Sequence, residues 1–235
     1  MGEITVVIPT RNEEENIIQL LDDLAEQTMF KQIKEIIVSD NESTDNTRKL
    51  IKNWKGDIPI RIIEGGIPSI ARNRGALEAT TQYIAFFDAD VRIYNKHLIM
   101  DCLKKMSKGY HLLTAKIGCK ESKKANAAYK LNNQLTKMSK YHKPFATGMF
   151  MFWLKEEFDR LGGFNEEIHF AEDYNLSKQV KPSKFKVLKT TLYTGNRRFD
   201  ITGYQNLVKM MLTAFVNQGD IEKLSGDKGY WDHLD

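Results

Sequence analysis

The 235-residue chain has two cysteines, Cys102 and Cys119, with no CxxC pair or histidine-rich clip around them. That argues against a disulfide framework and a structural zinc site, and makes a reducing compartment the expectation. No run approaches the ~18 apolar residues that a membrane-spanning helix requires. The longest late apolar cluster, Leu207 to Val216, is broken by Lys209 and Thr213. The opening Met1-Gly2-Glu3-Ile4-Thr5-Val6-Val7-Ile8-Pro9 lacks the charged n-region and long apolar core of a secretory signal. A cytoplasmic location is therefore expected. Internal repeats, low-complexity tracts and Pro/Ser linkers are also missing, which points to one compact domain over residues 1–235.

What is present is an ordinary globular composition, 41% hydrophobic and 28% charged. Lys and Arg number 35 against 31 Asp and Glu, for a formal charge of +4. The excess is local. Seven lysines and one acid, Glu121, fall between Lys120 and Lys143, giving that segment +6 and leaving −2 for the rest.

The first half alternates strand and helix signals. Apolar runs at Ile4–Ile8, Ile36–Val38, Ile60–Ile63 and Tyr83–Phe87 are separated by helical patterns. Continuous apolar strands of this kind belong to a parallel sheet covered on both faces. The second half is less regular. It reads as a helix at His97–Met106, a strand at Leu112–Ile117, a long basic helix at Ser122–Tyr141 and an apolar stretch at Phe145–Leu154. A Gly162-Gly163-Phe164 turn, a helix near Asp173–Val180, short strands at Phe185–Leu188 and Thr191–Thr194, and a last helix at Tyr204–Asn217 follow.

In an open parallel sheet, ligands bind beyond the carboxyl ends of the strands. The first four strands here end in Pro9-Thr10-Arg11-Asn12-Glu13, in Ser39-Asp40-Asn41, in Gly65-Gly66 ahead of Ser69–Gly75, and in Asp88-Ala89-Asp90. Their convergence carries more weight than any one of them. Asp88 and Asp90, two residues apart beyond a buried strand, suit a hard cation such as Mg²⁺ or Mn²⁺, which takes one or two carboxylates and fills its shell with water and phosphate oxygens. The same pair also suits a capped turn.

Six segments in order resemble the nucleotide-sugar glycosyltransferases of family 2. They are Val7–Ile17, Ile37–Thr47, Ala71-Arg72-Asn73-Arg74-Gly75, Asp88-Ala89-Asp90, Gly148-Met149-Phe150, and Gly162–Glu166 with Glu172-Asp173. The resemblance spans about residues 3 to 200. It implies a GT-A fold, Rossmann-like, with a mostly parallel central sheet flanked by helices. Residues 1–118 would bind the nucleotide-sugar, and residues 119–235 the acceptor. It further implies inverting transfer of a sugar, from a UDP-sugar by preference, to an acceptor hydroxyl on a glycan or a lipid-linked carrier.

The resemblance also implies roles. Asp40 would accept from the N3–H of a uracil-like base, while Pro9, Thr10, Arg11 and Glu13 would flank base and ribose. Arg72 would face base or diphosphate with planar donors. Asp88, Ala89 and Asp90 would meet ribose and a divalent metal, with Asp90 the more direct ligand. Asp173 would be the catalytic base, on the sugar face opposite the leaving diphosphate, with Glu172 the fallback, orienting its neighbour or an acceptor hydroxyl. The same two acids also suit the first turn of a helix, whose dipole they stabilise.

Three departures stand out. Glu42 occupies a position where relatives carry glycine. The late histidine that completes the metal shell in many relatives is missing from Thr194-Gly195-Asn196-Arg197-Arg198-Phe199, so Asn196, water or the two arginines would serve instead; His142 and His169 remain as outside candidates. The Q-x-x-R-W pattern of processive synthases is absent after Asp173, which points to transfer of a single sugar. A sugar-phosphate nucleotidyltransferase is the rival enzyme, but Thr10–Glu15 is glycine-free and acidic, a poor triphosphate cradle. A non-catalytic nucleotide- or nucleic-acid-binding module is the other rival, yet only Tyr129 and Tyr141 interleave the lysines, and nucleic acid is not expected as a partner. Across Ser122–Tyr141, Ala125, Ala128, Leu131, Leu135 and Met138 recur at helical spacing among lysines. That pattern fits an ordinary surface helix or, alternatively, peripheral contact of residues 120–143 with anionic lipid at the inner membrane face.

Overall fold

The computed structural model describes residues 2–168, 171–207 and 209. Seven strands form one sheet in the order β3-β2-β1-β4-β6-β5-β7. They are β1 (Ile4–Thr10), β2 (Ile33–Asp40), β3 (Ile60–Glu64), β4 (Tyr83–Phe87), β5 (Leu112–Gly118), β6 (Phe150–Leu154) and β7 (Phe185–Tyr193). All neighbours pair in parallel except β6, which runs against both β4 and β5. Six strands therefore end on one edge of the sheet. The mostly parallel α/β architecture expected from the sequence is the one observed.

Alternation along the strands divides the core in two. Ile4, Val6 and Ile8 of β1, with Ala85 and Phe87 of β4, face one apolar cluster beneath α1 (Ile17–Ala25) and α4 (Leu98–Met106). Val7, Ile84 and Phe86 face the other, with Trp153, Phe158 and Phe164. Helix α2 (Thr47–Asn53) follows β2, and α3 (Pro68–Glu78) lies against β1 and β2. Pro68 opens α3, where a missing N–H costs nothing.

The second half departs from expectation in several places. β7 is one strand rather than two. Thr114 faces Val187 and Lys116 faces Thr191, so β7 bulges between its two apolar pieces. Two short helices, α6 (Lys155–Arg160) and α8 (Arg197–Thr202), were not foreseen, and α7 begins at Glu172 (Glu172–Ser177). The last expected helix falls mostly outside the described residues.

Helix α5 (Lys123–Ser139) is where expected but turned. Ala125, Ala128, Tyr129, Asn132, Thr136 and Ser139 are buried, whereas Leu131 and Met138 are 43% and 62% exposed. The rotation follows from an open strand edge. β6 pairs with β5 only at Leu112 and Leu113, so the later backbone of β5 needs other partners. Asn133 supplies them: its Oδ1 accepts the Ile117 N–H at 2.9 Å and its Nδ2 donates to the Ile117 carbonyl at 2.7 Å.

Candidate active site

A cavity opens at the edge where the strands end. It is lined after β1 by Pro9, Thr10, Arg11 and Glu13, after β2 by Asn41, and after β3 by Gly66–Pro68. Arg72 of α3, Asp88-Ala89-Asp90 after β4, and Arg197, Arg198, Ile201 and Thr202 of α8 complete it. Four strand ends expected to converge do so. The α8 wall was not foreseen beyond its two arginines.

Asp40 is buried at the end of β2 and is not among the cavity-lining residues. Its Oδ1 accepts from the Thr10 hydroxyl at 3.2 Å and the Ser43 hydroxyl at 2.5 Å. Its Oδ2 accepts the Ser43 N–H at 3.2 Å and lies 3.4 Å from Arg48 Nη1. Asp40 thus braces the loop that puts Asn41 on the cavity wall.

Arg72 is the hub. Buried in α3, it donates from Nη2 to Asp88 Oδ1 at 2.7 Å and from Nη1 to Glu172 Oε1 at 2.7 Å. Its guanidinium lies 5.5 Å from the centre of the Phe164 ring. Burial opposes its charge, but Asp88 and Glu172 outweigh that and raise its pKa beyond the usual arginine value. Gly148 makes the arrangement possible, since a Cβ there would stand 2.6 Å from Nη2. Arg72 therefore joins Asp88, 16 residues on, to Glu172, 100 residues on, instead of extending both ends of its fork toward a ligand.

Asp173 is half-buried and held at both oxygens. Oδ2 accepts the Gly148 N–H at 2.6 Å, and Oδ1 accepts the Tyr174 N–H at 2.6 Å. Burial, and then the charge of Glu172, push its pKa up from 3.8 to about 7, against the pull of the Gly148 hydrogen bond and of Arg72. A carboxyl poised near neutrality can take up and release a proton. The residue before the pair, Ala171, is left-handed at φ 59°, a strained start for a helix.

Beyond β4, Asp90 Oδ2 accepts from the Thr194 hydroxyl at 2.7 Å. Arg198 Nη2 stands 4.0 Å from Asp88 Oδ2. Arg197 hydrogen-bonds Glu13, whose pKa is raised by burial and by the charge of Asp90, with Arg197 pulling the other way. Asp88 and Asp90 offer the hard oxygen donors that Mg²⁺ or Mn²⁺ prefers, and two carboxylates suffice where phosphate oxygens and water complete the shell. Among the described residues, no group of three or more His, Cys, Asp or Glu side chains is gathered for a metal. His142 is exposed after α5, and His169 lies outside the described residues.

Sequence reasoning missed Asn73. Its Nδ2 donates to the Phe164 carbonyl and to Glu166 Oε1, each at 2.8 Å, while its Oδ1 accepts the Phe164 N–H at 2.9 Å. It pins the Gly162-Gly163-Phe164 turn, whose glycines sit at φ 83° and 73°, to the helix that carries Arg72. The signal was its place beside Arg72 in the Ala71–Gly75 segment.

A mostly parallel sheet whose strand ends ring an acidic and basic cleft defines a GT-A nucleotide-diphospho-sugar transferase fold. Residues 5–164 match the model of glycosyl transferase family 2, and the chain belongs to that family. Over 105 residues it is 30% identical to the poly(ribitol-phosphate) beta-N-acetylglucosaminyltransferase TarS of Staphylococcus aureus, a match covering 43% of this chain and 18% of that one. The chain thus matches less than a fifth of that curated relative. In structure it is similar to TarS 1–349 in complex with UDP-GlcNAc, with a TM-score of 0.68 and 19% identity over 99% of this chain and 76% of that one. It is equally similar to the mannosyltransferase PcManGT from Pyrobaculum calidifontis in complex with GDP-Man and Mn²⁺, at TM-score 0.68 and 20% identity over 92% and 65% of the two chains. Among the described residues, no helix is long and apolar enough to cross a membrane.

Proposed function

We propose that this chain is an inverting glycosyltransferase that moves a single sugar from a nucleotide-diphosphate sugar, a UDP-sugar by preference, to an acceptor hydroxyl. The observation that carries the reading is the Arg72 bridge. One buried guanidinium pairs with Asp88 on the nucleotide-cavity side and with Glu172, neighbour of Asp173, on the other. A donor seated between the strand ends then presents its sugar toward Asp173, which takes the acceptor proton as the oxocarbenium-like centre is attacked. Gly148 and Tyr174 hold the carboxylate, while burial, and then the charge of Glu172, keep its proton affinity high. Asn41, Thr10 and Arg11 flank the nucleoside, while Arg197 and Arg198 face the anionic oxygens of the donor.

Asp88 and Asp90 would hold a divalent metal, which when bound neutralises charge on the departing diphosphate. The complexes of structural neighbours with UDP-GlcNAc and with GDP-Man and Mn²⁺ support a nucleotide-sugar donor and a metal of this class. A panel of nucleotide-sugars with Mn²⁺ or Mg²⁺, scored by thermal shift and by donor hydrolysis, tests the reading. Asp173→Asn is expected to keep donor binding and lose about 10²–10⁴-fold in transfer rate. An active Asp173→Asn enzyme would move the base elsewhere.

Peripheral membrane contact is a second reading, favoured by one observation. Leu131, Met138 and Tyr141, the last 78% exposed, stand outward on α5 and just after it, among Lys130, Lys137 and Lys140. An apolar stripe between cations suits an anionic lipid surface. Co-sedimentation with phosphatidylserine vesicles is expected and should weaken with salt; equal recovery with neutral vesicles would remove the idea.

A further inference from the structure

A second cavity, of about 490 Å³, lies beside the first at the ends of β5 and β7. Its chemistry is one-sided. Lys116, Lys120, Lys123 and Lys130 line it together with Asn126 and Tyr193, and no acidic residue is among the lining residues described. Lys123, Asn126 and Lys130 follow at intervals of three and four, so α5 presents them as one stripe. The stripe is fixed in place, because Asn126 Oδ1 accepts the Cys119 N–H at 3.3 Å and Asn133, two turns further on, grips Ile117. From the sheet side come Lys116 and Tyr193. Lys120 closes the group, its ammonium 3.4 Å from the centre of the Tyr94 ring and 4.9 Å from that of Tyr193.

Four lysines line this cavity with no carboxylate among the lining residues described, which makes it a favourable place for an anion of more than one charge. One short segment of chain links the lining of this cavity to that of the proposed active site. Tyr193 lines the lysine cavity, the next residue, Thr194, hydrogen-bonds Asp90, and Arg197 and Arg198 line the nucleotide cavity. Glu121, adjacent to Lys120, accepts the Asn196 N–H at 3.0 Å and ties the two rims together. A ligand held by the lysines is thus within a few residues of the carboxylates of the strand-four loop.

We propose that this cavity is a binding site for the phosphate groups of the acceptor, a phosphodiester-bearing chain whose hydroxyl receives the sugar. The term acceptor rests on the glycosyl-transfer reading; the binding of oligophosphate does not. Lysine ammonium groups grip phosphate as point charges and tolerate variation in its placement, as a repeating acceptor requires.

The test is calorimetric titration of the whole chain with sodium tripolyphosphate in the presence of saturating UDP. One tripolyphosphate site is expected to persist, to weaken as salt is raised, and to lose about tenfold or more in affinity in the Lys123→Glu/Lys130→Glu variant. Lys116→Gln/Lys120→Gln, which removes charge without reversing it, is expected to show the same direction of change with melting temperature and UDP affinity retained. Tripolyphosphate binding abolished by UDP, or unchanged in both variants, overturns the proposal. So does a loss confined to binding of phosphatidylserine vesicles, which would assign the lysines to a lipid surface. Failure of UDP to bind while the variants still weaken tripolyphosphate would instead strike the glycosyl-transfer reading and leave the anion site standing.

Discussion

The loops after β1 and β2 and the segments of the second half are held in different ways. The first two loops lace together. Ser43 Oγ accepts the Asn12 N–H at 3.0 Å, Asn12 Oδ1 accepts the Thr44 N–H at 2.9 Å, and Thr47 Oγ1 accepts the Glu13 N–H at 2.8 Å. Asp45 Oδ2 accepts the Glu14 N–H at 3.0 Å, and Glu14 Oε2 returns the favour to the Asn46 N–H at 2.9 Å. Each loop's side chains satisfy the backbone donors of the other, so no single bond is decisive. The Gly-Gly-Phe turn hangs instead on Asn73, and Glu172 on Arg72. Redundant lacing braces the cavity wall formed by the first two loops. Single pins leave the Gly-Gly-Phe turn and Glu172 dependent on one residue each, although Asp173 is also tied by Gly148 and Tyr174, and the loop after β7 by both Thr194 and Glu121.

Arg72→Met breaks the comparison hardest. It leaves Asp88, Glu172 and Asp173 without their shared cation, and removal of one partner from a buried ionic cluster costs about 3–5 kcal/mol. A large fall in melting temperature is expected, beside a much smaller one for Arg48→Met, whose partner Asp40 keeps its hydroxyl and amide donors. The pH dependence moves as well. The fold holds the Asp173 proton more tightly than the unfolded chain, whose carboxyl ionises near 3.8, so this group's stabilisation is complete below that pH and is lost as pH rises toward about 7. Arg72 pulls that pKa down. Its loss should shift the alkaline-rising limb of the transfer rate to higher pH, and an unmoved limb would deny that the two groups interact.

Asn73→Ala comes next. Three hydrogen bonds go, and the Phe164 backbone N–H and carbonyl lose their partner at a partly buried turn, for about 1–3 kcal/mol. Donor binding should survive better than transfer, because the nucleotide wall does not depend on this pin. A loss confined to donor affinity would reverse the contrast between the two regions.

Much of the laced region was legible because its signals are local. Strand ends, polar loop residues and the Asp88/Asp90 spacing sit within a few residues of one another, and the parallel sheet carries them to one edge. The pins were not legible in their function. Arg72 finds Glu172 100 positions away, a pairing that no local pattern announces. The inward face of α5 was left open for a related reason. Apolar spacing fitted a surface helix or a lipid-facing one, and it is the polar Asn126 and Asn133, bonded to the backbone at the end of β5, that turn toward the sheet while Leu131 and Met138 stay exposed. β7 was split in two by its polar middle, which is where the bulge lies.

The smallest expected effect lies inside the lacing. Glu42 takes a left-handed backbone, φ 50°, at an exposed position. Holding a non-glycine residue there costs about 1–2 kcal/mol, and glycine would remove that cost while adding about 0.5–1 kcal/mol of chain entropy to be lost on folding. Glu42→Gly is therefore expected to stabilise by about 1 kcal/mol or less, read as a rise of a few degrees at most in melting temperature. The neighbouring bonds from Ser43 to Asp40 and Asn12 are made by other side chains and should persist. A marked destabilisation would mean that the loop depends on the Glu42 side chain itself, and that the wall beside Asn41 is pinned at one point much as the Gly-Gly-Phe turn is.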